Sequence, residues 1–281
     1  MRARRILLAL AATFAALLVL AGPAAADLLT PESGGSPNAD KIDTLYKITF
    51  FISIPILLLV EGTLIYSLVK YKARRGGQAE QIRGNTSLEL GWTIGAAVIL
   101  VILTGVTFAF LKGITDPEES GPEITGGVQV AAIGQPDPPG GKGMRVTVNG
   151  QQYLWRYDYP GKESLFSYHE MVVPTDTTVT LDITSSDVVH SWWIPKLGGK
   201  VDAVPGHTAE TWFKISKPGL YDGQCAELCG AGHADMRAVV RAIPPDEFER
   251  WVKAQRAEIK AAQDGLATQR RAREAQAGGG G

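Results

Sequence analysis

Three long apolar runs mark the first 111 residues of the 281-residue chain, and the first differs from the other two. It covers residues 6–21, follows three arginines at the N-terminus and ends shortly before Ala24 and Ala26. A basic start, a short apolar run and small residues two positions apart are typical of a cleaved secretory signal. We therefore predict a signal peptide over residues 1–26, which would export the segment that follows it.

The second and third runs are long enough to cross a membrane. Residues 48–69 carry one charged residue, Glu61, and residues 90–111 carry none. Each run has 22 residues and as a helix would be about 33 Å long, against about 30 Å for the hydrocarbon core of a bilayer. Five Lys and Arg residues between the runs favour a cytoplasmic loop. We predict an N-terminal segment and a two-helix membrane anchor over residues 27–112, with both ends outside.

The pattern changes after the anchor. Residues 113–144 are rich in Gly, Pro, Asp and Glu, which is typical of a linker and a loop. Further along, short strand-like segments, in which apolar residues tend to alternate with polar ones, occur at residues 177–184, 208–213 and 236–243. Repeated short strands favour an all-β sandwich or barrel, which we place at residues 145–252.

Aromatic residues reinforce the prediction of strands. Four of them recur at every second position: Tyr153, Trp155, Tyr157 and Tyr159. Because successive side chains of a strand point to opposite faces, the four rings are predicted on one face of a sheet.

The C-terminal part of the chain is predicted to leave the β-region. Pro244 and Pro245 precede a segment typical of a helix, from about residue 247 to 262. Residues 269–281 consist mainly of Arg, Ala, Gln and Gly, a composition that favours disorder. We therefore assign residues 253–281 to the end of this helix and a disordered tail.

Charge is unevenly distributed, although the net charge is only −1. Residues 113–250 contain 11 Lys and Arg against 19 Asp and Glu, a net charge of −8, whereas residues 251–281 have a net charge of +3. Nucleic-acid binding needs a basic face, so the acidic region argues against it. The same region instead favours a basic protein partner.

The two cysteines, Cys225 and Cys229, lie four residues apart, which excludes a disulfide scaffold. His233 and Met236 follow within the same segment, and thiolate, imidazole and thioether are donors that copper prefers. A zinc half-site or a redox disulfide would account for the cysteine pair alone. Zinc seldom takes methionine, however, and the sequence has no second Cys and His pair at zinc-finger spacing.

A second histidine would complete a copper site, and His190 is the strongest candidate, since His169 and His207 lack comparable neighbours. A mononuclear blue-copper site uses one Cys, two His and a Met, and would leave one cysteine unexplained. A binuclear copper site bridged by both thiolates accounts for all five side chains: His190, Cys225, Cys229, His233 and Met236.

With these motifs the sequence resembles subunit II of haem–copper cytochrome c oxidases, from the first membrane run to about residue 252. The segments 185–192 and 201–206 also resemble sequences of that family. The resemblance implies a two-helix transmembrane hairpin plus an all-β, cupredoxin-like Greek-key barrel that holds the binuclear copper centre CuA. The implied bridging ligands are Cys225 and Cys229, and the implied terminal ligands are His190, His233 and Met236.

The resemblance also implies roles for residues around the copper site. The backbone carbonyl of Glu227 would bind one copper, and its side chain would bind a magnesium ion shared with the catalytic subunit. Glu89 matches a carboxylate at the mouth of a proton-uptake path, with an interfacial charge beside a helix as the alternative. Electrons enter the family's proteins at a tryptophan that is Tyr153 here, so Tyr153 and the nearby Trp155 are candidates for that role.

The activity implied by the resemblance is electron transfer from a c-type cytochrome to the haem–copper catalytic subunit I, which reduces dioxygen to water. Subunit III and membrane lipid are further expected partners, in a bacterial plasma membrane with the CuA domain on the outer face. No Cys-x-x-Cys-His motif is present, so no haem is expected in this chain. Two alternatives stay open: a quinol oxidase subunit II, which typically lacks the copper ligands, and a copper-binding assembly or storage membrane protein.

Overall fold

The computed structural model describes residues 30–72, 80–120, 143–159, 161 and 164–278. The predicted signal peptide and most of the predicted linker lie outside these residues. The chain divides into two compact units, one containing residues 43–112 and the other residues 32–42 and the described part of the chain from residue 113.

Two long helices contain the second and third apolar runs and extend past them. Helix α1 is Pro37–Lys70 and helix α2 is Thr86–Thr115. Both are long and apolar enough to cross a membrane, and no residue of their most apolar windows is buried by protein. A helix that is apolar on all sides and not covered by protein is typical of a membrane span.

Five threonine hydroxyls in α1 and α2 are satisfied within their own helix. Each donates a hydrogen bond to the carbonyl oxygen four residues earlier, at 2.6–3.0 Å. The residues are Thr49, Thr63, Thr93, Thr104 and Thr107. Such internal bonds allow polar side chains to lie in lipid, where no water is available as a partner.

The described part of the second unit contains ten strands in two five-stranded sheets. The first sheet has the order β3-β2-β1-β5-β8 and the second the order β4-β10-β9-β6-β7. The strands are β1 Met144–Gln151, β2 Leu154–Tyr159, β3 Leu165–Tyr168, β4 Glu170–Pro174, β5 Thr178–Ser185, β6 His190–Trp193, β7 Val201–Ala203, β8 Ala209–Lys214, β9 Gly219–Cys225 and β10 Arg237–Ile243. Neighbouring strands are antiparallel except for the pairs β1–β5 and β4–β10, which are parallel. The predicted all-β, cupredoxin-like region is confirmed.

Alternating apolar side chains of both sheets form the core. Val146 and Val148 of β1 and Leu181 and Ile183 of β5 are fully buried, as expected for strands with one face against a second sheet. The predicted strand segments at 177–184, 208–213 and 236–243 correspond to β5, β8 and β10.

Only three of the four alternating aromatic residues share the predicted face. Trp155, Tyr157 and Tyr159 are buried in β2, whereas Tyr153 precedes the strand in a turn and is half-buried. The chain reverses direction before β2 begins, so the strand alternation does not reach back to Tyr153.

Helix α3, Pro245–Gly278, is longer than the sequence predicted. The helix continues past the expected end near residue 262 and includes residues 269–278 of the expected disordered tail, whereas residues 279–281 lie outside the described residues. Ala, Arg, Gln and Glu have high helix propensities, and no proline interrupts the segment after residue 245. The first part of α3 packs on the core through Phe248, Val252 and Ile259, whereas residues 260–275 are exposed.

Candidate metal centre

The five predicted donors come from two neighbouring strands and one loop. His190 is the first residue of β6, and Cys225 is the last residue of β9. These strands pair with Trp192 opposite Cys225, which brings the two donor-bearing segments side by side. The remaining donors lie in the loop between β9 and β10: Cys229, His233 and Met236.

Backbone hydrogen bonds close this loop, residues 226–236, at its base. The Cys225 amide donates to the Met236 carbonyl at 2.9 Å, and the Ala226 amide donates to the Ser191 carbonyl at 2.8 Å. Within the loop, Gly230 has a φ of 133°, which lies in the left-handed region that favours glycine. The loop therefore folds back on itself, and Met236 returns to the level of Cys225.

Donor atoms surround the Cys225 thiol. Its Sγ lies 3.9 Å from the Sγ of Cys229 and 3.9 Å from Nδ1 of His190. The backbone carbonyl oxygen of Glu227 lies 3.2 Å from the same sulfur. Among the described residues, His190, Cys225 and Cys229 form a group whose ligand atoms all lie within 4.8 Å of one another.

The Cys229 thiol has a corresponding set of neighbours. Its Sγ lies 3.6 Å from Nδ1 of His233 and 3.8 Å from the Sδ of Met236. Each thiol thus has its own imidazole and one further donor, while the two sulfurs face each other. The structure therefore brings together all five side chains that the sequence predicted, together with the Glu227 carbonyl.

Burial controls the chemistry of these thiols. Cys225 is 3% and Cys229 5% exposed. Burial and the adjacent Cys225 raise the pKa of the Cys229 thiol to about 11. A thiol is nucleophilic only as the thiolate, so the Cys229 thiol is poorly suited to covalent catalysis. A bound metal cation reverses the situation, because a coordinating thiol is deprotonated. The site is chemically suited to a soft metal.

A carboxylate orients the buried His190. Asp187 Oδ1 lies 2.9 Å from Nε2 of His190. Partial burial opposes ionisation of Asp187, but hydrogen bonds from His190 and from the amides of Gln152 and Val188 outweigh it and lower the Asp187 pKa to about 2. The Asp187 carboxylate therefore favours a proton on Nε2 and leaves Nδ1 free as a metal ligand.

The two predicted aromatic residues occupy different surroundings. Trp155 is fully buried, and its ring lies edge-on to the His190 ring with 5.8 Å between centroids. Tyr153 is half-buried and lies against the 226–236 loop. A Cβ atom on Gly230 would lie 2.6 Å from Tyr153 Oη, and one on Gly232 would lie 2.5 Å from Tyr153 Cδ2. Only glycines allow the Tyr153 ring to approach this closely.

The two predicted glutamates belong to different units of the chain, Glu227 to the β-domain and Glu89 to helix α2. The side chain of Glu227 is exposed, although its carbonyl faces Cys225. Glu89 lies in the first turn of α2, where its Oε1 accepts a hydrogen bond from the Asn85 amide at 3.3 Å. Asn85 Oδ1 in turn accepts from the Leu88 amide at 3.2 Å, so Glu89 takes part in a reciprocal helix cap.

Sequence reasoning missed three residues beside the donors. Asp187 could have been noticed, because a carboxylate three positions before a candidate histidine is a common partner of a ligand. Gly150 and Gln152 gave no such signal, because they lie in β1 and in the turn after it and reach the site only through the packing of the two sheets.

The fold and the site together define a class: a β-sandwich protein with two membrane-length helices and a buried site of cysteine, histidine and methionine donors. Two family profiles match the chain. Cytochrome C oxidase subunit II, transmembrane domain, matches residues 25–110, and Cytochrome C oxidase subunit II, periplasmic domain, matches residues 161–243.

Curated relatives give the same result. Cytochrome c oxidase subunit 2 of Alkalihalophilus pseudofirmus is 32% identical over 258 residues, which cover 90% of this chain and 70% of the relative. The Synechocystis protein of the same name is 33% identical over 246 residues, covering 78% and 74%. The crystal structure of the periplasmic domain of subunit II of cytochrome oxidase of Bradyrhizobium japonicum is 34% identical, covers 41% of this chain and 94% of that chain, and has a TM-score of 0.40.

The chain belongs to the cytochrome c oxidase subunit II family. It is thus a component of an oxidoreductase complex, with two apolar helices followed by a periplasmic β-domain of a copper-binding family.

Proposed function

We propose that this chain is the electron-accepting subunit of a respiratory cytochrome c oxidase. It takes electrons from a c-type cytochrome at a binuclear copper centre and passes them to the haem–copper catalytic subunit, where dioxygen is reduced to water. The observation that carries the proposal is the pair of buried thiols 3.9 Å apart, each beside its own imidazole. Membership of the subunit II family supports the same function.

The donor set fits two copper ions that share two thiolates. Cys225 and Cys229 are the proposed bridging ligands, because one four-coordinate ion would be filled by the two thiols and two imidazoles and would leave Met236 and the Glu227 carbonyl without a metal. The proposed terminal donors are His190, His233, Met236 and the backbone carbonyl of Glu227.

The chain's own residues would hold this centre in a fixed geometry. When bound, the copper pair supplies a one-electron acceptor whose charge is shared between two metal ions. Pairing of β6 with β9 fixes His190 relative to Cys225, and Asp187 fixes the orientation of the imidazole. Trp155 and the sheet interior exclude water, which lowers the local dielectric and limits rearrangement of solvent when charge changes.

Further roles are proposed for residues around the centre. Tyr153, which is partly accessible and lies against the 226–236 loop, and Trp155, which lies against His190, are the proposed residues for electron transfer into the site. The exposed side chain of Glu227 is free to bind a magnesium ion shared with the catalytic subunit. Glu89 is proposed to serve at the mouth of a proton path, in addition to capping α2.

The proposed surroundings follow from the membrane helices and the charge distribution. The β-domain would lie on the outer face of a bacterial plasma membrane, because the five Lys and Arg between the apolar runs favour a cytoplasmic loop. Catalytic subunit I and subunit III would be partners in the membrane. A basic cytochrome would be the electron donor, since residues 113–250 carry a net charge of −8.

Two other functions are less well supported by the site. A quinol oxidase subunit has no need for copper ligands, whereas this chain retains all five donor side chains, four of them buried and His233 half-buried. A copper assembly or storage protein needs a site from which metal exchanges readily. Cys225, Cys229, His190 and Met236 are all at most 5% exposed, which argues against rapid exchange.

Metal analysis of the full-length chain tests the proposal. Purified from copper-supplemented membranes, it is expected to bind two copper ions and to show the electron-spin hyperfine pattern of two equivalent copper nuclei. Cys225→Ser should abolish this pattern, because one thiolate does not bridge two ions symmetrically. His207→Asn, a change at an exposed histidine outside the site, is the matched control. One copper with a blue-copper spectrum, or a preference for zinc, would contradict the proposal.

Purification of the complex tests the partners and the donor. A haem-bearing membrane subunit is expected to copurify, and the complex should oxidise a reduced c-type cytochrome. Oxidation of quinol without oxidation of cytochrome would favour the quinol oxidase alternative instead. Recovery of the copper-loaded chain without any haem protein would favour the assembly or storage alternative.

A further inference from the structure

One residue of the first sheet reaches both donor-bearing segments of the second sheet. Gln152 lies in the turn between β1 and β2. Its side-chain Nε2 donates a hydrogen bond to the carbonyl oxygen of Cys229 at 2.6 Å. Its backbone amide donates to Oδ2 of Asp187 at 2.7 Å. The other oxygen of Asp187 contacts His190, so Gln152 links the Cys229 segment to the His190 segment.

The turn that carries Gln152 is itself fixed on the His190 side. The Gly150 carbonyl accepts a hydrogen bond from the Ser186 amide at 3.1 Å. Because the turn is anchored there, the Gln152 side chain acts on Cys229 from a defined position. The 226–236 loop, in contrast, is closed by backbone bonds only at its base and through its short helical turn.

We propose that Gln152 is a positioning residue for the metal centre. Its side-chain amide holds the Cys229 backbone in place. It thereby keeps the Cys229 sulfur 3.9 Å from the Cys225 sulfur, which itself lies 3.9 Å from Nδ1 of His190. A site whose donors already have the right spacing loses less conformational freedom on binding a metal. This inference rests on the proposed copper site, whose ligands it does not include.

The isosteric variant Gln152→Glu tests the side-chain bond. An ionised carboxylate has the shape of the amide, but it cannot donate to the Cys229 carbonyl and is repelled by it. The backbone bond from residue 152 to Asp187 is unaffected by the change. Gln151→Glu makes the same change one position earlier, and the Gln151 side chain makes no hydrogen bond among the described residues, so it is the matched control. Gln152→Met removes the donor without adding charge.

Two measurements on the full-length, copper-loaded chain decide the outcome. Copper release to a chelator is expected to be about tenfold faster in Gln152→Glu and Gln152→Met than in Gln151→Glu, a typical size for the loss of an outer partner of a metal site. The hyperfine pattern of the two copper nuclei should become unequal in the Gln152 variants only. A purely structural role would lower the melting temperature of the metal-free chain and leave the spectrum of the copper-loaded protein unchanged.

The results separate this inference from the proposed function. If the unaltered chain and Gln151→Glu bind two copper ions and both Gln152 variants match them in release rate and spectrum, the positioning role is wrong. If the unaltered chain itself does not bind two copper ions, the proposed function fails instead. If Gln152→Glu does not fold, Gln152→Met decides the question by the same two measurements.

Discussion

Gly150 lies at the point where β1 approaches the candidate metal centre most closely. It pairs with Trp155 across the β1–β2 hairpin. A Cβ atom at this position would lie 2.9 Å from Cδ2 of His190 and 3.1 Å from Cζ3 of Trp155. The two rings are fully buried, so neither has free space into which it could move. Even a methyl group at position 150 would therefore push against the ring of His190, a proposed metal ligand.

Gly150→Ala is expected to displace His190 and weaken copper binding. Overpacking of this kind costs about 1–3 kcal/mol in the free energy of unfolding. Copper content and the thermal midpoint of the metal-free chain are the measurements, with Gly105→Ala in α2 as the control, since a Cβ atom there meets nothing within 4 Å. A Gly150→Ala chain with unchanged copper content and spectrum would show that His190 tolerates the contact.

Tyr153 combines a packing role with the proposed role in electron transfer, and a leucine substitution separates them. Tyr153→Leu keeps an apolar side chain against the 226–236 loop but removes the aromatic ring. We expect oxidation of the cytochrome to slow strongly, while copper content and onward transfer to haem stay normal. Tyr153→Phe, which keeps the ring, is the control. Equal rates for the leucine variant and the unaltered protein, at full copper content, would mean that electrons enter elsewhere.

At the scale of elements, α3 has two parts with different energetic roles. Phe248 and Val252 are buried in the core of the β-domain, and Trp251 packs its ring against Tyr159 with 5.3 Å between centroids. Residues 260–275 bury no side chain. The second part therefore depends on helix propensity alone, whereas the first part is stabilised by tertiary packing.

Deletion of residues 263–281 is expected to leave the unfolding midpoint of the β-domain and the copper content unchanged. Phe248→Ala, in contrast, should lower the free energy of unfolding by about 3–5 kcal/mol, because it leaves a cavity in the core. Thermal and urea unfolding of the full-length chain and of both variants measure this difference. A large loss of stability on deletion would show that the exposed part of α3 has a packing partner.

At the scale of the whole molecule, the acidic charge of residues 113–250 would influence how the proposed electron donor approaches. The net charge of −8 over residues 113–250 creates a field that no single ion pair provides. Surface charges contribute little to stability individually, but together they raise the rate of encounter with a basic partner.

The rate of reduction by a basic c-type cytochrome is therefore expected to fall as salt is added. Steering of this kind changes association rates by about tenfold or more, and it is screened when the Debye length shrinks from ~30 Å at 0.01 M to ~8 Å at 0.15 M ionic strength. Stopped-flow measurement at the two ionic strengths checks this, with an uncharged small reductant as the control. A rate that is independent of salt would mean that apolar contacts alone guide the donor.

The amino-acid sequence by itself determined the local elements and the chemistry available to the protein. The runs at 48–69 and 90–111 predict membrane-length helices because apolar composition and length are both properties of one continuous segment. The segments that correspond to β5, β8 and β10 are recognisable because alternation of apolar and polar residues is also a local pattern. The identity of the soft donors was visible because Cys225, Cys229, His233 and Met236 are neighbours along the chain.

Only the tertiary structure decided how these donors meet and what surrounds them. His190 reaches Cys225, 35 positions away, because β6 pairs with β9. Gln152 and Gly150 approach the centre because the two sheets pack face to face, and local periodicity carries no information about which residues of one sheet oppose those of the other. The helical continuation of α3 past residue 262 was also missed, because a composition rich in Arg, Ala and Gln suits both a disordered tail and an exposed helix.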